Sequence, residues 1–534
     1  MTNRIGLLGA SVTKLRTITM YMKNSKYYFF LLLIIAFSIF LRFFLLTKQS
    51  LWFDEGWSLI LSDGRSFQEN FAKIVGIESG DKYQPLYYLI LFYWRSAFGD
   101  SEFALRSLSA ILGVGSVITL FFTVLRIYGK KHAFWSLLLL SFSSFCIYYS
   151  QDARPYSLLI FLTSLQLYFF SKALNEVESN EIVSQCLFGL FTAIGFFSSI
   201  LIGIFSFALS CSYIIVYKNL RRWLQWWIPA TILSLPMIFF YLSSPAAADP
   251  TNTLVTRSGL PIVQNLAFVL YGLLVGTTYG PPLDKLRGDD KIQVLLNYLP
   301  QFLILFLVTS ILFLAVVILL WKSPRENKYQ RADYFFAVLL VISFVLAFIF
   351  AAATKINWLP RHSFYLYLPI SIILPSTIHR AGRRRTLLPT KKIKTVTQSA
   401  KIALISLIIL NIYSLSNYYF DREYGKDDYR SAAKYLVDNR GSSAQSVLLW
   451  GTPRLMSYYG DTLTLYGGNL KKETFAEQVR DLTKDSDTVF IAVNREFFWN
   501  KDNNTSVQGA MSDLYVMQSK VSFPYFNIYR FVKK

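Results

Sequence analysis

Long runs of apolar residues recur along this chain, separated by short polar and basic segments. At about 20 residues for one crossing, they predict membrane-spanning helices rather than elements of a soluble core. We predict about eleven spans, although the fifth and sixth share only about 35 residues, slightly short for two crossings. The stretches are 27–46, 103–125, 133–150, 156–172, 183–197, 199–217, 223–243, 299–321, 332–353, 364–378 and 402–419.

The distribution of Lys and Arg predicts the orientation of these spans. Because cytoplasmic loops are enriched in basic residues, the cations before the first span place the N-terminus in the cytoplasm. The other strongly basic loops then fall on the same side, near residues 126–131, 218–222, 322–331 and 380–394. Three longer segments are predicted on the opposite, extracytoplasmic face: 51–102, 244–298 and the tail after about residue 420.

Two of the outer segments have patterns of their own. In 51–102, the apolar piece 86–94 is too short to span, so an interfacial or re-entrant helix is predicted. The tail combines one helix-like segment with two strand-like runs, namely Tyr429–Asn439, Ser446–Trp450 and Thr488–Val493. We therefore predict a polytopic α-helical membrane domain at 1–420 and a small α/β extracytoplasmic domain at 421–534.

Composition agrees with a membrane protein. Hydrophobic residues make up 53% of the chain and the mean hydropathy is +0.37, above the share of about 45–50% typical of soluble domains. A net charge of +22 would favour nucleic acid as the partner of a soluble protein, but here the cations lie between apolar stretches. Membrane lipids, not nucleic acid, are the predicted partner. The three cysteines all fall inside apolar stretches, so they predict neither a disulfide framework nor a thiolate metal site.

Two adjacent carboxylates, Asp54 and Glu55, follow the first apolar stretch and have aromatic residues on both sides. Ionisable groups near hydrocarbon are costly and tend to be retained for function, which makes this pair a candidate for catalysis. Asp152 lies in a second outer turn and is predicted on the same face. A purely structural alternative is that Asp152 caps the helix that begins at Pro155.

Several basic side chains are predicted on the outer surface close to these carboxylates. They are Lys82, Arg106, Arg154 and Arg361. A guanidinium group suits phosphate because its planar fork donates two parallel hydrogen bonds, although any one of these cations could equally be a lipid headgroup anchor. His362 is the one histidine predicted outside, and no zinc-ligand spacing appears. A divalent metal bound by Asp54 or Glu55 stays open, and no other cofactor is predicted.

Four motifs occur in a definite order on the predicted outer face. They are Asp54-Glu55, Gln84-Pro85-Leu86-Tyr87-Tyr88, Phe98-Gly99-Asp100-Ser101-Glu102-Phe103-Ala104-Leu105-Arg106 and Gln151-Asp152-Ala153-Arg154-Pro155-Tyr156. Together they resemble the GT-C membrane glycosyltransferases of the protein O-mannosyltransferase and lipid A aminoarabinose transferase superfamily (glycosyltransferase family 39-like). The resemblance covers roughly residues 45–170, with weaker support from Pro360-Arg361.

The resemblance implies a polyprenyl-phosphate sugar donor, an acceptor hydroxyl and transfer with inversion on the extracytoplasmic face of a bacterial plasma membrane. It gives Asp54 the role of general base, with Glu55 orienting it or binding the acceptor and Asp152 sharing the task. The residues implied in substrate binding are Lys82, Gln84, Tyr87, Tyr88, Arg106, Arg154, Tyr156, Arg361 and His362. Gln84 stands where some lipid A-modifying relatives have lysine, which puts aminoarabinose as the sugar in doubt.

The sequence leaves other questions open. The sugar is not determined, and the acceptor could be a protein, a lipid or a glycan. The tail is predicted either to select the acceptor or to act as a plain stabilising cap, and Asp427-Asp428-Tyr429-Arg430 is predicted to be a solvated helix start. The alternative functions are a transporter or lipid-linked-sugar flippase, and a glycan polymerase or ligase using a lipid diphosphate donor. Acidic residues at outer helix ends, not at the bilayer midplane, favour the transferase over a transporter.

Overall fold

The structure is a computed structural model of the chain. It describes residues 25–76, 80–174, 181–243, 263–283, 285–287, 290–321, 328–354, 358–379, 390–439, 445–449, 451–460, 465–467, 486–496, 507–512 and 515–534. The predicted cytoplasmic cations before Ser25, and those in 322–327 and 380–389, lie outside the described residues, as does Trp450 at the end of a predicted strand.

The described chain up to residue 420 is mostly helical. Its α-helices are α1 Ser25–Phe43, α2 Phe53–Leu61, α3 Phe67–Gly76, α4 Pro85–Phe98, α5 Glu102–Tyr128, α6 Lys130–Phe142, α7 Ser144–Ser150, α8 Tyr156–Phe170, α9 Ile182–Ser198, α10 Ile200–Tyr217, α11 Leu220–Ser243, α12 Val263–Val275, α13 Lys291–Asn297, α14 Leu299–Trp321, α15 Lys328–Thr354, α16 Tyr367–His379 and α17 Thr390–Phe420. Each of the predicted apolar stretches overlaps one or two of these helices, and the polytopic helical fold is confirmed.

The length and composition of the described helices bear on the number of crossings. Seven described helices are long and apolar enough to cross a membrane, or eight if α6 and α7 form one bent span, and α8, α9 and α12 are apolar but shorter. The predicted count of about eleven therefore stays a prediction. Helix α12 lies in the predicted outer loop 244–298, where no helix was predicted, because its 13 residues fall below the length of a span.

The first outer segment folds as its local sequence indicates. Helix α4 begins at Pro85, which needs no hydrogen-bond partner for its nitrogen, and ends before Gly99, whose φ of +82° favours glycine. Helix α5 begins after Ser101, whose side chain accepts a hydrogen bond from the backbone of Ala104. The predicted short helix is thus present as α4, with 14 residues.

Helix α5 connects two ends of the helix bundle, because its 27 residues are about 40 Å long. Arg106 lies near its start, beside the first outer segment, and Arg126 near its end, where it donates to the carbonyl oxygen of Tyr168. Predicted cytoplasmic cations make contacts at that second end: Arg126, Lys130, Arg222 and Arg331. The two sets of residues separate as predicted, while the orientation of the bundle in a cell stays a prediction.

The break between α6 and α7 bends the chain by 56°. Arg42 of α1 is buried against this break and donates to the carbonyl oxygens of Leu140 and Ser141. A cation is favourable there because the end of a helix carries partial negative charge. The side chain of Ser143 caps the start of α7. The bend directs α7 towards the turn that holds Asp152.

The C-terminal part forms the predicted small α/β unit. It contains α18 Tyr429–Asn439, β1 Gln445–Leu449, α19 Pro453–Tyr459, β2 Leu465–Gly467, β3 Thr488–Asn494, α20 Val507–Met511, β4 Tyr515–Phe523 and β5 Phe526–Lys533. The sheet order is β2-β1-β3-β5-β4, with β1 parallel to β2 and β3, and β5 antiparallel to β3 and β4. Apolar residues of β1, β3 and β5 form its core.

This C-terminal unit packs directly on the first outer segment. The hydroxyl of Tyr459 accepts a hydrogen bond from the backbone of Leu51 at 2.8 Å, and Arg430 forms an ion pair with Glu102. Leu455 of α19 lies so close to α2 that a Cβ added at Gly56 would be 2.9 Å from two of its side-chain atoms. The start of α2 is therefore fixed from both sides, by membrane helices and by the C-terminal unit.

Gly56→Val tests this close packing. We expect it to lower stability by about 1–3 kcal/mol, the usual cost of overpacking, and to loosen the C-terminal unit from α2, because the new side chain overlaps Leu455. Thermal unfolding and the rate of protease cleavage measure the two effects. Gly76→Val is the control, since a Cβ at Gly76 meets nothing within 4 Å. If both variants unfold at the same temperature and are cleaved at the same rate, the proposed close contact between α2 and Leu455 is contradicted.

Candidate active site

Glu55 lies in the first turn of α2 and is fully buried. Its carboxylate reaches back to the backbone N–H of Trp52 at 3.2 Å and also accepts from the backbone N–H of Ala153 at 2.8 Å. Burial opposes ionisation, but the charges of Arg106 and Lys426 outweigh it and lower the pKa of Glu55 to about 2. Glu55 is thus a charged group held inside the protein, where it joins α2 to the turn that carries Asp152.

Arg106 of α5 is the partner of Glu55. Its Nε and Nη2 donate to the two carboxylate oxygens at 2.8 and 2.6 Å. The remaining N–H groups donate to backbone oxygens of the segment before α2: Leu46, Gln49 and Ser50. All five guanidinium hydrogens are therefore directed at protein atoms. This arrangement positions the start of α2 and leaves no donor of Arg106 for a ligand.

Asp54, one residue earlier, is partly accessible, with 18% of its side chain exposed. Its Oδ2 accepts from Nη1 of Arg361 at 2.8 Å, and its backbone oxygen accepts from Arg154. Burial raises the pKa of Asp54, but the charges of Arg361, Arg154 and Arg495 outweigh that effect, and the net pKa is lowered. Asp54 is consequently a carboxylate at neutral pH.

Arg361 reaches Asp54 from a short 3-10 helix, Pro360–Leu366, that follows α15. Its guanidinium carbon lies 5.9 Å from the centre of the Tyr156 ring, and 22% of its side chain is exposed. Nε of Arg361 is buried without a hydrogen-bond partner among the described residues. Among the predicted cations whose side chains are described, Arg361 both contacts the carboxylate of Asp54 and is accessible to solvent.

Asp152 is completely buried, in the turn between α7 and α8. Its Oδ1 accepts from the indole N–H of Trp52 at 2.7 Å and from Lys426 at 3.2 Å, while Oδ2 has no hydrogen-bond partner among the described residues. Burial, with the nearby charge of Glu55, raises the pKa of Asp152 despite Lys426. Among the described residues, its carboxylate bonds to Trp52 and Lys426 and not to the first turn of α8.

Arg154 belongs to a second buried pair. Its Nη2 donates to Asp81 at 2.7 Å, and the hydroxyl of Tyr88 donates to the same oxygen at 2.5 Å. Tyr87, on the neighbouring side of α4, is fully buried and bonded to Ser109. The sequence does not predict Asp81 as a site residue, because a single carboxylate in a turn-rich loop matches no motif.

The remaining predicted residues lie around this centre. Gln84 precedes α4, and its buried Oε1 has no hydrogen-bond partner among the described residues. Tyr156 is buried beside Arg361, and Nδ1 of His362 is 3.3 Å from the backbone nitrogen of Leu359. The backbone of Lys82 lies in a 3-10 helix beside Asp81, but its side chain is outside the described residues.

The C-terminal part contributes three charged residues that the sequence did not indicate. Lys426 is bonded to Asp152, and Asp427 accepts from the backbone N–H of Phe53 at 3.2 Å and from Arg495. Asp427 was predicted at a solvated helix start, and this is wrong, because its side chain is only 1% exposed. It is buried because the C-terminal unit packs over α2, a contact between distant parts of the chain.

These groups form five ion pairs, which we call the charged network: Arg106–Glu55, Arg154–Asp81, Arg361–Asp54, Lys426–Asp152 and Arg495–Asp427. Each buried charge has a partner, as low-dielectric surroundings require. Three side chains of the network are about one-fifth exposed, namely Asp54, Arg361 and Arg495, while the other seven are 0–11% exposed. We call these three the mouth of the site.

A metal site was left open for Asp54 or Glu55. The described residues contain no group of three His, Cys, Asp or Glu side chains that could hold a metal ion. Both oxygens of Glu55 already accept hydrogen bonds, so Asp54 is the one of the two that stays accessible.

Comparison with known proteins identifies the fold. Residues 83–245 match a family model described as dolichyl-phosphate-mannose-protein mannosyltransferase, and no curated protein sequence matches significantly. The structure is similar to that of ArnT from Cupriavidus metallidurans bound to undecaprenyl phosphate, with a TM-score of 0.57 at 12% identity over 94% of this chain and 98% of that one. This chain has the GT-C fold. Apo ArnT from the same organism gives a TM-score of 0.56 at 12% identity, over 94% and 97%.

The GT-C fold was predicted from four motifs, and three of them lie inside the matched range 83–245. The fourth, Asp54-Glu55, precedes that range and is joined to it by the Arg106–Glu55 pair. The motifs are thus physically connected in the GT-C fold of this chain.

Glu55→Gln tests the buried pair. We expect a loss of stability of about 3–5 kcal/mol at neutral pH, because Arg106 keeps its charge without a partner. Since folding lowers the pKa of Glu55 from 4.5 to about 2, its contribution is complete above about pH 5 and is lost as pH falls towards 2.

The unfolding temperatures of wild type and Glu55→Gln should therefore converge as the pH is lowered from 5 to 2. Glu69→Gln is the matched control, because Glu69 occupies the first turn of the next helix but is exposed. A difference between wild type and Glu55→Gln that stays constant over this range would contradict the assigned ionisation.

Proposed function

We propose that this protein transfers a sugar from a polyprenyl-phosphate donor to an acceptor hydroxyl at the outer surface of the membrane. One observation carries the proposal: Asp54, an ionised and accessible carboxylate, lies with accessible guanidinium groups at the end of a membrane helix bundle. The likeness to an ArnT structure that contains undecaprenyl phosphate supports the class of donor. The predicted orientation would place the reaction on the extracytoplasmic face of a plasma membrane.

The leaving group sets the main electrostatic demand of this reaction. When the bond between the sugar carbon and the phosphate oxygen breaks, negative charge develops on the lipid phosphate. Arg361 is suited to stabilise that charge, because it is accessible and its Nε has no partner among the described residues. Fixed cations in a partly desolvated site provide such stabilisation with little reorganisation.

Asp54 is suited to remove the proton of the acceptor. The acceptor oxygen forms the new bond to the sugar, its proton passes to Asp54, and the lipid phosphate departs with the electron pair of the broken bond. In the free enzyme, Arg361 lowers the pKa of Asp54 and so weakens it as a base. A donor phosphate that shares Arg361 would raise that pKa and make Asp54 a better base once the donor is bound.

Glu55 and Asp152 have supporting roles in this proposal. Glu55 holds the helix start that carries Asp54, and Asp152 holds Trp52, the residue directly before α2. Both side chains are fully buried, so neither reaches the acceptor in this conformation. Their negative charges also keep Arg106 and Lys426 in place.

Asp54→Asn should abolish transfer, with a loss of at least about 100-fold, because the amide cannot take the acceptor proton. The measurement is turnover of the polyprenyl-phosphate sugar that accumulates in cells lacking the protein, with insertion and thermal unfolding checked in parallel. Asp63→Asn is the control, since Asp63 is a partly exposed carboxylate just after α2, paired with Lys73. Full activity of Asp54→Asn would exclude the proposed base.

Asp152→Asn should reduce turnover by up to about 100-fold without abolishing it, because a displaced Trp52 shifts Asp54 slightly. The amide retains an oxygen for the indole but cannot balance the charge of Lys426. Steady-state kinetics at saturating donor give the size of the effect. Unchanged turnover in a folded variant would reduce Asp152 to a purely structural residue.

A further inference from the structure

The most exposed side chains of the charged network form its mouth, and the mouth is built by two distant parts of the chain. Asp54 and Arg361 belong to the membrane domain, whereas Arg495 follows strand β3 of the C-terminal unit. Arg495 is 19% exposed, close to the 22% of Arg361 and the 18% of Asp54. Both arginines lie close enough to Asp54 for their charges to lower its pKa, so a ligand beside Asp54 is within the field of an arginine from each part.

The side chain of Arg495 is held in a defined orientation. Its Nε and Nη2 donate to the two oxygens of Asp427 at 3.0 and 3.1 Å, and its guanidinium carbon lies 5.6 Å from the centre of a Trp52 ring. Its backbone has a φ of +53°, unusual for a residue other than glycine, and its N–H donates to Tyr525 at 2.7 Å. Such fixing reduces the entropy that a ligand contact would cost.

The charges around Arg495 and its place at the end of strand β3 explain why its side chain is suited to bind an anion. The three side chains of the mouth carry a net charge of +1, opposite to that of a phosphodiester, although the buried carboxylate of Asp427 on Arg495 offsets it. Asp427 engages Nε and Nη2 of Arg495, which leaves Nη1 able to donate to a ligand. Arg495 also comes directly after the carboxyl end of a parallel strand, the usual edge for binding residues in α/β sheets.

We propose that Arg495 binds the phosphate group of the donor together with Arg361, so that the C-terminal unit supplies part of the donor site. The inference rests on the proposed function, which supplies the phosphate-bearing substrate. It makes the C-terminal unit part of the binding machinery and not only a cap. The two arginines approach the phosphate from different elements, and Asp54 remains accessible for the acceptor.

Arg495→Gln in the full-length protein tests this role. We expect KM for the donor, and the dissociation constant of undecaprenyl phosphate as the product mimic, to rise about tenfold or more, the usual effect of losing a charged hydrogen bond. The catalytic constant at saturating donor should change much less. Arg530→Gln is the matched control, because Arg530 is an exposed arginine of the same sheet that lies over Phe490.

Arg495→Lys separates binding from folding. It retains the positive charge but not the planar fork, so phosphate affinity should be intermediate. Thermal stability should fall less than in Arg495→Gln, because Asp427 keeps a cationic partner. If Arg495→Gln fails to fold, this variant decides the question through its dissociation constant. Wild-type affinity in a folded Arg495 variant, or a loss of turnover and stability at unchanged KM, would overturn the inference.

The same measurements distinguish this inference from the proposed function. If the wild-type protein neither binds undecaprenyl phosphate nor turns over a polyprenyl-phosphate sugar, the proposed function fails and the donor role of Arg495 fails with it. If the wild type does both and Arg495→Gln equals Arg530→Gln, only the role of Arg495 is wrong. Weakened phosphate binding confined to the Arg495 variants supports the inference.

Discussion

The buried ion pair between Glu55 and Arg106 is the constraint on which the rest of the site depends. Arg106 fixes the segment before α2 through three backbone oxygens, and Glu55 fixes the start of α2 and the Asp152 turn through two backbone N–H groups. Neither charge could remain in the interior alone, since an unpaired buried ion costs several kcal/mol. The pair therefore fixes the helix start that carries Asp54, and Arg361 and Arg154 hold Asp54 through contacts of its own.

Around this pair, the protein separates groups that hold the structure from groups that are accessible to solvent. The buried members of the charged network are paired with one another, and among the described residues only Oδ2 of Asp152 and Nε of Arg154 are buried atoms of these members that lack a hydrogen-bond partner. The mouth keeps one carboxylate and two guanidinium groups within reach of solvent. Polar networks of this kind specify a single geometry because a partly satisfied alternative would leave a charge unpaired. Rigid support beneath an accessible carboxylate is what a positioned base requires.

Much of this could be predicted from the sequence. Asp54, Glu55, Asp152, Arg154 and Arg361 were found because motifs at helix ends and a common membrane face bring them together, and the apolar stretches predicted the helices. The sequence could not separate buried residues from accessible ones, since Asp54 and Glu55 are neighbours with opposite environments. It also missed Lys426, Asp427 and Arg495, which join the site through contacts between distant segments, and helix α12, which is too short to be recognised as a span.

The location of Arg495 after the described membrane helices has a consequence for biosynthesis. Membrane helices are inserted while the chain is still being made, so the membrane domain and its carboxylates are in place before β3 leaves the ribosome. The backbone of Arg495 is secured by Tyr525, which lies in the turn between the final two strands. The site is therefore completed only after the segment that holds Tyr525 has been synthesised, and copies that lack this segment would occupy the membrane without a finished mouth.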